Sequence, residues 1–405
     1  MAFSSHFLEE VKNQIGLAEV VGRRVRLIKK GREHHGLCPF HNEKTPSFTV
    51  NEEKGFYHCF GCGEHGSVFD FVMKTNNMSF PESVEKLANE AGIEIPVETP
   101  EERHRQMRAK TLFQVIEAAT LYYQAILYKP EGTAALKYLL DRGISEASIK
   151  YFRIGFSSNN HGGLKLALGG EGISDHLMVE AGLLIQPDDP SRPSYDRFRG
   201  RVMFPIADRQ GRIIAFGGRI LGDGEPKYLN SPETPLFHKG DSLYALPQAV
   251  EAARNAKTIL VTEGYTDVIA LHQAGFKHAV APLGTALTEN QMQLLWRVVP
   301  EPVLCFDGDR AGEKAARRAA ERAIPLLKPE KSLKIISLPD GEDPDSLIKT
   351  RGITAIEELL DQAVHLFEVI WRINTVGCRL ETPEDRAGLE NRLKEIAANI
   401  KDKTV

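Results

Sequence analysis

The chain reads as a multidomain α/β protein: an N-terminal zinc-binding unit, a mixed α+β basic subdomain, a doubly wound α/β subdomain and a C-terminal helical segment. Three observations carry this reading. At 405 residues the chain is too long for one ordinary core. Four residues at zinc-ligand spacing, Cys38, His41, Cys59 and Cys62, fall in the N-terminal quarter. From Thr258 onward, apolar strand-like runs alternate with helical ones, and carboxylates stand just past the ends of the strands.

An apolar fraction of 42% and a charged fraction of 26% are those of a soluble globular protein. No apolar run is long enough to span a bilayer. The N-terminal MAFSSHFLEEVKNQIG carries acids where a signal peptide needs a basic start and an apolar core, so a cytoplasmic protein is expected. A net charge of −4 argues against a histone-like binder. Residues 192–240 nevertheless hold nine Lys/Arg against five Asp/Glu, which is either a basic binding surface or a solvated face. Five cysteines, three of them in the zinc pattern, argue for metal binding and against a disulfide framework.

Residues 1–95 form the first unit. A short helix is expected over Ser5–Val11, then strands over Val25–Lys29, Glu33–Leu37, Ser47–Asn51 and Phe56–Cys59. Helices follow over Ser67–Lys74 and Phe80–Ala91, the latter with Ser79 as N-cap and Gly92 just past its end. Cys38-x2-His41 and Cys59-x2-Cys62 are ligand pairs on two knuckles. Four protein ligands close a tetrahedral shell, so this zinc is expected to be structural. His34, His35, His58 and His65 do not match the pair spacing. Arg23, Arg24, Arg26, Lys29, Lys30 and Arg32 occur with Phe48, Phe56, Tyr57 and Phe60. Basic groups with aromatics suit single-stranded nucleic acid, while the rings serve equally well as core.

Residues 96–110, Pro-interrupted and crowded with charge, read as a linker. The basic subdomain, 111–242, begins with helices in which Leu112, Val115, Ile116, Ala119 and Tyr123 recur at core spacing. Within it, Val202–Ile206 and Ile213–Phe216 read as buried strands joined by a polar Asp208–Arg212 turn.

The third unit, 243–350, alternates strands at Thr258–Thr262, His278–Leu283, Val303–Phe306 and Leu333–Leu338 with helices at Tyr265–Ala274, Glu289–Val298 and Gly312–Leu327. This rhythm implies a parallel sheet covered on both faces, with ligands bound beyond the carboxyl ends of the strands. Glu263 stands at such an end, as do Asp307 and Asp309. Asp343 and Asp345 follow the last strand. In extended chain, residues i and i+2 face the same way, so each DxD pair can present two carboxylates to one divalent ion beside a phosphate. Gly264 is read as a tight turn and Gly308 as a clearing for the ion. A plain N-cap explains Asp309 equally well, and turn chemistry explains Asp343 and Asp345. The tail, 351–405, reads as amphipathic helix with no stop signal at its end.

Two other phosphate chemistries find little support. The DxDxT pattern of haloacid dehalogenase-type phosphatases has Ala311 in its last position here, and no GxxxxGK[ST] is present.

A Cys-His-Cys-Cys zinc ribbon followed by Glu…Asp-x-Asp in a doubly wound unit resembles the bacterial DnaG-type DNA primases. The carboxylate unit looks like a Toprim domain, shared with topoisomerases and some nucleases. Tyr195–Ile206, Gly217–Arg219 and Pro226–Lys239 read like the primase family in particular. The resemblance implies template-directed synthesis of short RNA on single-stranded DNA from ribonucleoside triphosphates, by nucleotidyl transfer with two or more Mg²⁺ or Mn²⁺ ions. It implies Glu263, Asp307, Asp309, Asp343 and Asp345 as the acidic site, Glu263 as either ligand or general base. It also implies Arg142, Arg199, Arg201, Arg219, Lys227, Tyr228, Asn230 and Lys239 as template and nucleotide contacts, with salt bridges as the alternative for each charged one. The product is an RNA–DNA hybrid. The replicative helicase DnaB is expected to dock only through a C-terminal domain that none of these residues match. A Toprim nuclease or topoisomerase, and a non-enzymatic zinc-ribbon adaptor, are the competing classes. Tyr195, Tyr228 and Tyr265 lack the context of a strand-breaking nucleophile, and the intact Glu and DxD argue against an adaptor.

Overall fold

The computed structural model describes residues 3, 5–76, 78–93, 100–189, 191–284, 286–378 and 380–405. It separates into two compact units, Met1–His104 and Arg105–Val405.

In the first unit, strands Ile28–Lys30, Glu33–Gly36, Phe48–Asn51, Phe56–Cys59 and His65–Gly66 pair in chain order as an antiparallel sheet. Side chains alternate across it, so Phe48, Val50, Tyr57 and Cys59 are buried while Phe56 and Phe60 face outward, Phe60 at 74% exposure. The aromatics therefore divide between the two roles open to them. Helices Ser5–Gln14, Leu17–Gly22, Val68–Asn76 and Phe80–Ala91 supply Val11, Val20, Phe71 and Leu87 to the same core. The Leu17–Gly22 helix occupies chain just before the first strand, which starts three residues later than expected. Ser79 caps the last helix, its amide and hydroxyl both donating to Glu82 Oε2 at 2.7 Å. Gly92 ends it at φ 67°.

The range read as a linker, 96–110, contains the division between the two units. Residues 96–99 lie outside the described residues, but a 28-residue helix, Pro100–Leu127, starts within the linker range. Glu, Arg, Gln, Met, Ala and Lys are strong helix formers, so the charged run takes helical structure without an apolar stripe of its own.

Within the second unit, an antiparallel sheet runs Tyr228–Asn230, Ile213–Ile220, Arg201–Ala207, Gly155–Ser157. The polar turn between its two long strands is fixed by Asp208, whose carboxylate accepts from the Gln210 and Arg212 amides. The second sheet has the order Ala279–Val280, Leu260–Val261, Val303–Phe306, Lys334–Ser337, all parallel, with Val364–His365 added antiparallel at the edge. At the other edge Tyr244 bridges to Ala281, its amide donating at 2.8 Å. Successive strand residues feed opposite cores. Leu260, Val303, Cys305 and Ile336 join one, Val261, Leu304, Phe306 and Ile335 the other, which makes the unit doubly wound.

The tail departs from an all-helical reading. Val364–His365 is strand, and the last helix, Pro383–Ala398, ends before the final residues. Among the described residues no helix is long and apolar enough to cross a membrane.

The strand order positions the site. Leu260–Val261 lies between the strand that follows it and the third strand, Val303–Phe306, so successive connections leave in opposite directions. Such a reversal opens a crevice at the carboxyl ends of the two central strands. Glu263 and Asp307 follow those strands.

Candidate functional site

The zinc ligands converge. One atom each from Cys38, His41, Cys59 and Cys62 lies within 4.8 Å of the other three. Cys38 Sγ and Cys62 Sγ are 3.8 Å apart, and Cys59 Sγ is 3.8 Å from His41 Nδ1. Tetrahedral Zn–S bonds of about 2.3 Å put two sulfurs roughly 3.8 Å apart, so the donor set fits zinc. Glu43, which sequence reasoning missed, organises the first knuckle. It accepts from the Cys38 amide at 2.7 Å and the Ser47 amide at 3.1 Å, and stands 3.4 Å from His41 Nε2. A carboxylate on Nε2 leaves Nδ1 as the ligand nitrogen.

The carboxylates gather at the crevice without closing to that distance: among the described residues, the Cys/His group is the one set of three or more ligands so tightly drawn. A cleft of about 270 Å³ is lined by Glu263, Asp267, Asp307 and Asp343 together with Arg142, Lys227, Tyr228 and Asn230. Glu263 Oε1 accepts from the Asp307 amide at 3.1 Å, which ties the two central strand ends together. Burial raises the Glu263 carboxyl above its ordinary value. Burial, reinforced by Glu263, Asp343 and Asp309, pushes Asp307 up to about 7. Asp307 Oδ1 is buried with no hydrogen-bond partner among the described residues. A buried, unpaired carboxylate oxygen among other acids is the donor a hard divalent cation takes, so these residues fit such an ion.

Asp309 and Asp343 are both caps. Asp309 Oδ1 accepts from the Ala311 and Gly312 amides at 2.8 Å each, and Asp343 Oδ1 from the Ser346 amide at 2.6 Å. The capping alternative is thus realised at Asp309, and Asp343, for which turn chemistry is the alternative, is a cap as well, each through one oxygen. Asp345 is nearly buried and paired with Lys349 Nζ at 2.7 Å and Arg142 Nη2 at 3.4 Å.

The glycines act differently from expectation. Gly264 is extended, at φ −129°, and a Cβ there would lie 2.9 Å from Asp267 Oδ2. A Cβ on Gly308 would meet Pro339 O at 1.9 Å. Gly308 lets two acidic loops touch backbone to backbone, its amide donating to Glu342 O and its carbonyl accepting from the Gly341 amide, both at 2.8 Å.

Four of the eight proposed template and nucleotide contacts line the cleft: Arg142, Lys227, Tyr228 and Asn230. Asn230 also braces it, accepting from the Tyr265 hydroxyl at 2.6 Å and donating to Leu283 O at 2.8 Å. Arg219 lies over the Tyr138 ring, 4.6 Å from its centroid. Arg199 is elsewhere, against Tyr195 and His161. Lys239 opens a short turn outside the cleft lining. Arg201 is a correction. It is 5% exposed, and its guanidinium donates to Gly218 O at 3.1 Å and Lys227 O at 3.4 Å, so it holds strands together below the surface.

Sequence reasoning missed Asp267, which is buried, accepts from the Gly264 amide at 3.0 Å, and is pushed to about 7 by burial and by Asp307 and Asp343. The available signal was its place one helical turn after Glu263.

Residues 122–250 match the family described as DNA primase catalytic core, N-terminal domain, residues 3–103 the CHC2 zinc finger, and residues 257–337 the Toprim domain. The DNA primase of Escherichia coli O6:H1 is 43% identical over 402 residues, 98% of this chain and 69% of that protein. A structure described as the DnaG primase catalytic domain bound to ssDNA aligns with TM-score 0.68 at 41% identity, covering 74% of this chain and 93% of that one. The zinc-binding and RNA polymerase domains of Aquifex aeolicus primase align with TM-score 0.59 at 30% identity over 99% and 94% of the two chains.

Proposed function

Because the chain belongs to the DnaG-type DNA primases, nucleotidyltransferases that make RNA primers for DNA replication, we propose how its own residues carry that reaction on a single-stranded DNA template. The observation that carries the assignment is the single cleft, at the reversal of strand order, in which Glu263, Asp307 and Asp343 face Arg142, Lys227 and Tyr228. Asp307, Asp309 and Asp343 would hold two divalent ions, Mg²⁺ or Mn²⁺, with Asp345 steadying Arg142 through its ion pair. Bound there, such ions supply Lewis-acid stabilisation of the attacking and leaving oxygens. Arg142 and Lys227 neutralise the triphosphate of the incoming ribonucleotide. Glu263, its carboxyl raised by burial, is suited to take the proton of the primer 3′-hydroxyl as it attacks the α-phosphorus.

Residues 1–95 hold template, with exposed Phe56 and Phe60 as stacking faces. Residues 111–242 and 243–350 form the two walls of the cleft, and 351–405 add helices and the edge strand Val364–His365 to the parallel sheet. No residue of this chain is assigned to the helicase.

The test is RNA synthesis on single-stranded DNA with labelled ribonucleotides and Mg²⁺ or Mn²⁺, comparing the wild type with Asp307→Asn. The expected result is short RNA from the wild type and a loss of more than about 100-fold in the variant, with template binding retained. Cleaved or relaxed DNA with no RNA would instead assign the acids to strand breakage. The Tyr265 hydroxyl, buried and bonded to Asn230, is not free to act as a strand-breaking nucleophile.

A further inference from the structure

Tyr138 stands behind the cleft, yet it touches two of its guanidinium groups. It lies in the last turn of the Thr133–Asp141 helix, whose C-terminal cap is Arg142. Its hydroxyl accepts from Arg142 Nη1 at 3.1 Å, and Arg219 lies 4.6 Å from its ring centroid. Arg219 is also 6.0 Å from the Tyr228 ring centroid, and Arg219 and Tyr228 are register partners on neighbouring strands. Arg219 Nε is buried without a hydrogen-bond partner among the described residues, so for that nitrogen the aromatic faces are the compensating contact.

An arginine carries five N–H donors in a flat fork. Arg142 uses one on Tyr138 and one on Asp345, and Asp345 is itself held by Lys349. Two anchors fix the plane of the fork and leave three donors for an anion in the cleft that Arg142 lines. Ordering the fork before the ligand arrives removes a cost that binding would otherwise carry.

We propose that Tyr138 is a positioning residue for nucleotide binding: its hydroxyl aims Arg142 at the triphosphate of the incoming ribonucleotide, and its ring seats Arg219 behind Tyr228. This rests on the assignment of Arg142 to the nucleotide.

Tyr138→Phe removes the hydroxyl and keeps the ring; Tyr138→Leu removes both. KM and kcat for ribonucleotide in template-directed synthesis, and the unfolding temperature, are measured for Tyr138→Phe, Tyr138→Leu, Arg142→Gln and the Tyr138→Phe/Arg142→Gln pair. Tyr138→Phe should raise KM about three- to tenfold, with kcat within about twofold and unfolding unchanged. It should add nothing in the Arg142→Gln background, and Tyr138→Leu should exceed it. If Tyr138→Phe leaves KM unchanged while Arg142→Gln raises it, or has the same effect in both backgrounds, the positioning role is wrong and the nucleotide assignment stands. If Arg142→Gln itself leaves KM unchanged, the assignment of Arg142 falls and this proposal with it.

Discussion

At Asp309 one side chain is asked to do two things: Oδ1 caps a helix, and the negative charge acts on Glu263 and Asp307. Substitutions separate them. Asp309→Asn keeps a capping oxygen and discards the charge, so it should unfold like the wild type yet lose synthesis by more than about 100-fold. Asp309→Ala should in addition lose about 1 kcal/mol of stability, read by thermal denaturation. An active Asp309→Asn enzyme would reduce this residue to a cap. Asp307 and Asp267 make the site sensitive to pH. Both carboxyls are raised from 3.8 to about 7, so the fold favours their protonated forms. Without metal, their contribution to stability is present in full below pH 3.8 and is lost as pH rises through about 7. A divalent ion held by Asp307 would take the place of its proton, so added Mg²⁺ should raise the unfolding temperature more at pH 8 than at pH 5. Equal gains at both values would show that the ion does not engage Asp307. Glu263 and Asp307 were legible because an acid just past an apolar strand has few structural reasons to be there. Asp267 was not: an acid in the first turn of a helix reads as a response to the helix dipole, and only packing reveals its burial.

Among the elements, the loops after the third and fourth parallel strands behave as one piece, stitched by two backbone hydrogen bonds through Gly308. Gly308→Ala would force a methyl group to within 1.9 Å of a carbonyl oxygen. It should destabilise the protein by about 3 kcal/mol and impair synthesis at every metal concentration, as denaturant unfolding beside an activity titration would show. Rescue by excess metal would point instead to a local effect on the ion. Sequence pattern located the parallel strands because alternate residues must serve two cores, which gives continuous apolar runs such as Val303–Phe306. It marked 96–110, where the two units divide, but did not foresee that strong helix formers make residues 100–110 helical. It also missed Val364–His365, since two residues are too few to show an alternation.

For the whole molecule, the two compact units imply separable stabilities. The Met1–His104 unit has one modest core and a four-ligand metal centre, while Arg105–Val405 has several cores that do not depend on zinc. Chelation should therefore unfold the first unit and leave the second folded, giving two calorimetric transitions and protease cleavage confined to the N-terminal portion. A single transition that shifts as a whole would contradict this. The order of units was readable because zinc spacing and strand–helix alternation are local signals. The meeting of Arg142 with Asp345, 203 residues apart, was not, because it depends on how separate sheets and helices pack.

Each outer parallel strand has a neighbour: Tyr244 bridges to Ala281 on one side, and Val364–His365 pairs on the other. An unpaired strand is a template on which a second chain can add. The two-residue strand near the tail, whose Val364 lines a cavity together with Asp307 and Asp309, would therefore also guard against self-association. A chain stopped at Arg351 would keep the acids and lose that guard. It should sediment as concentration-dependent aggregates where the full chain does not.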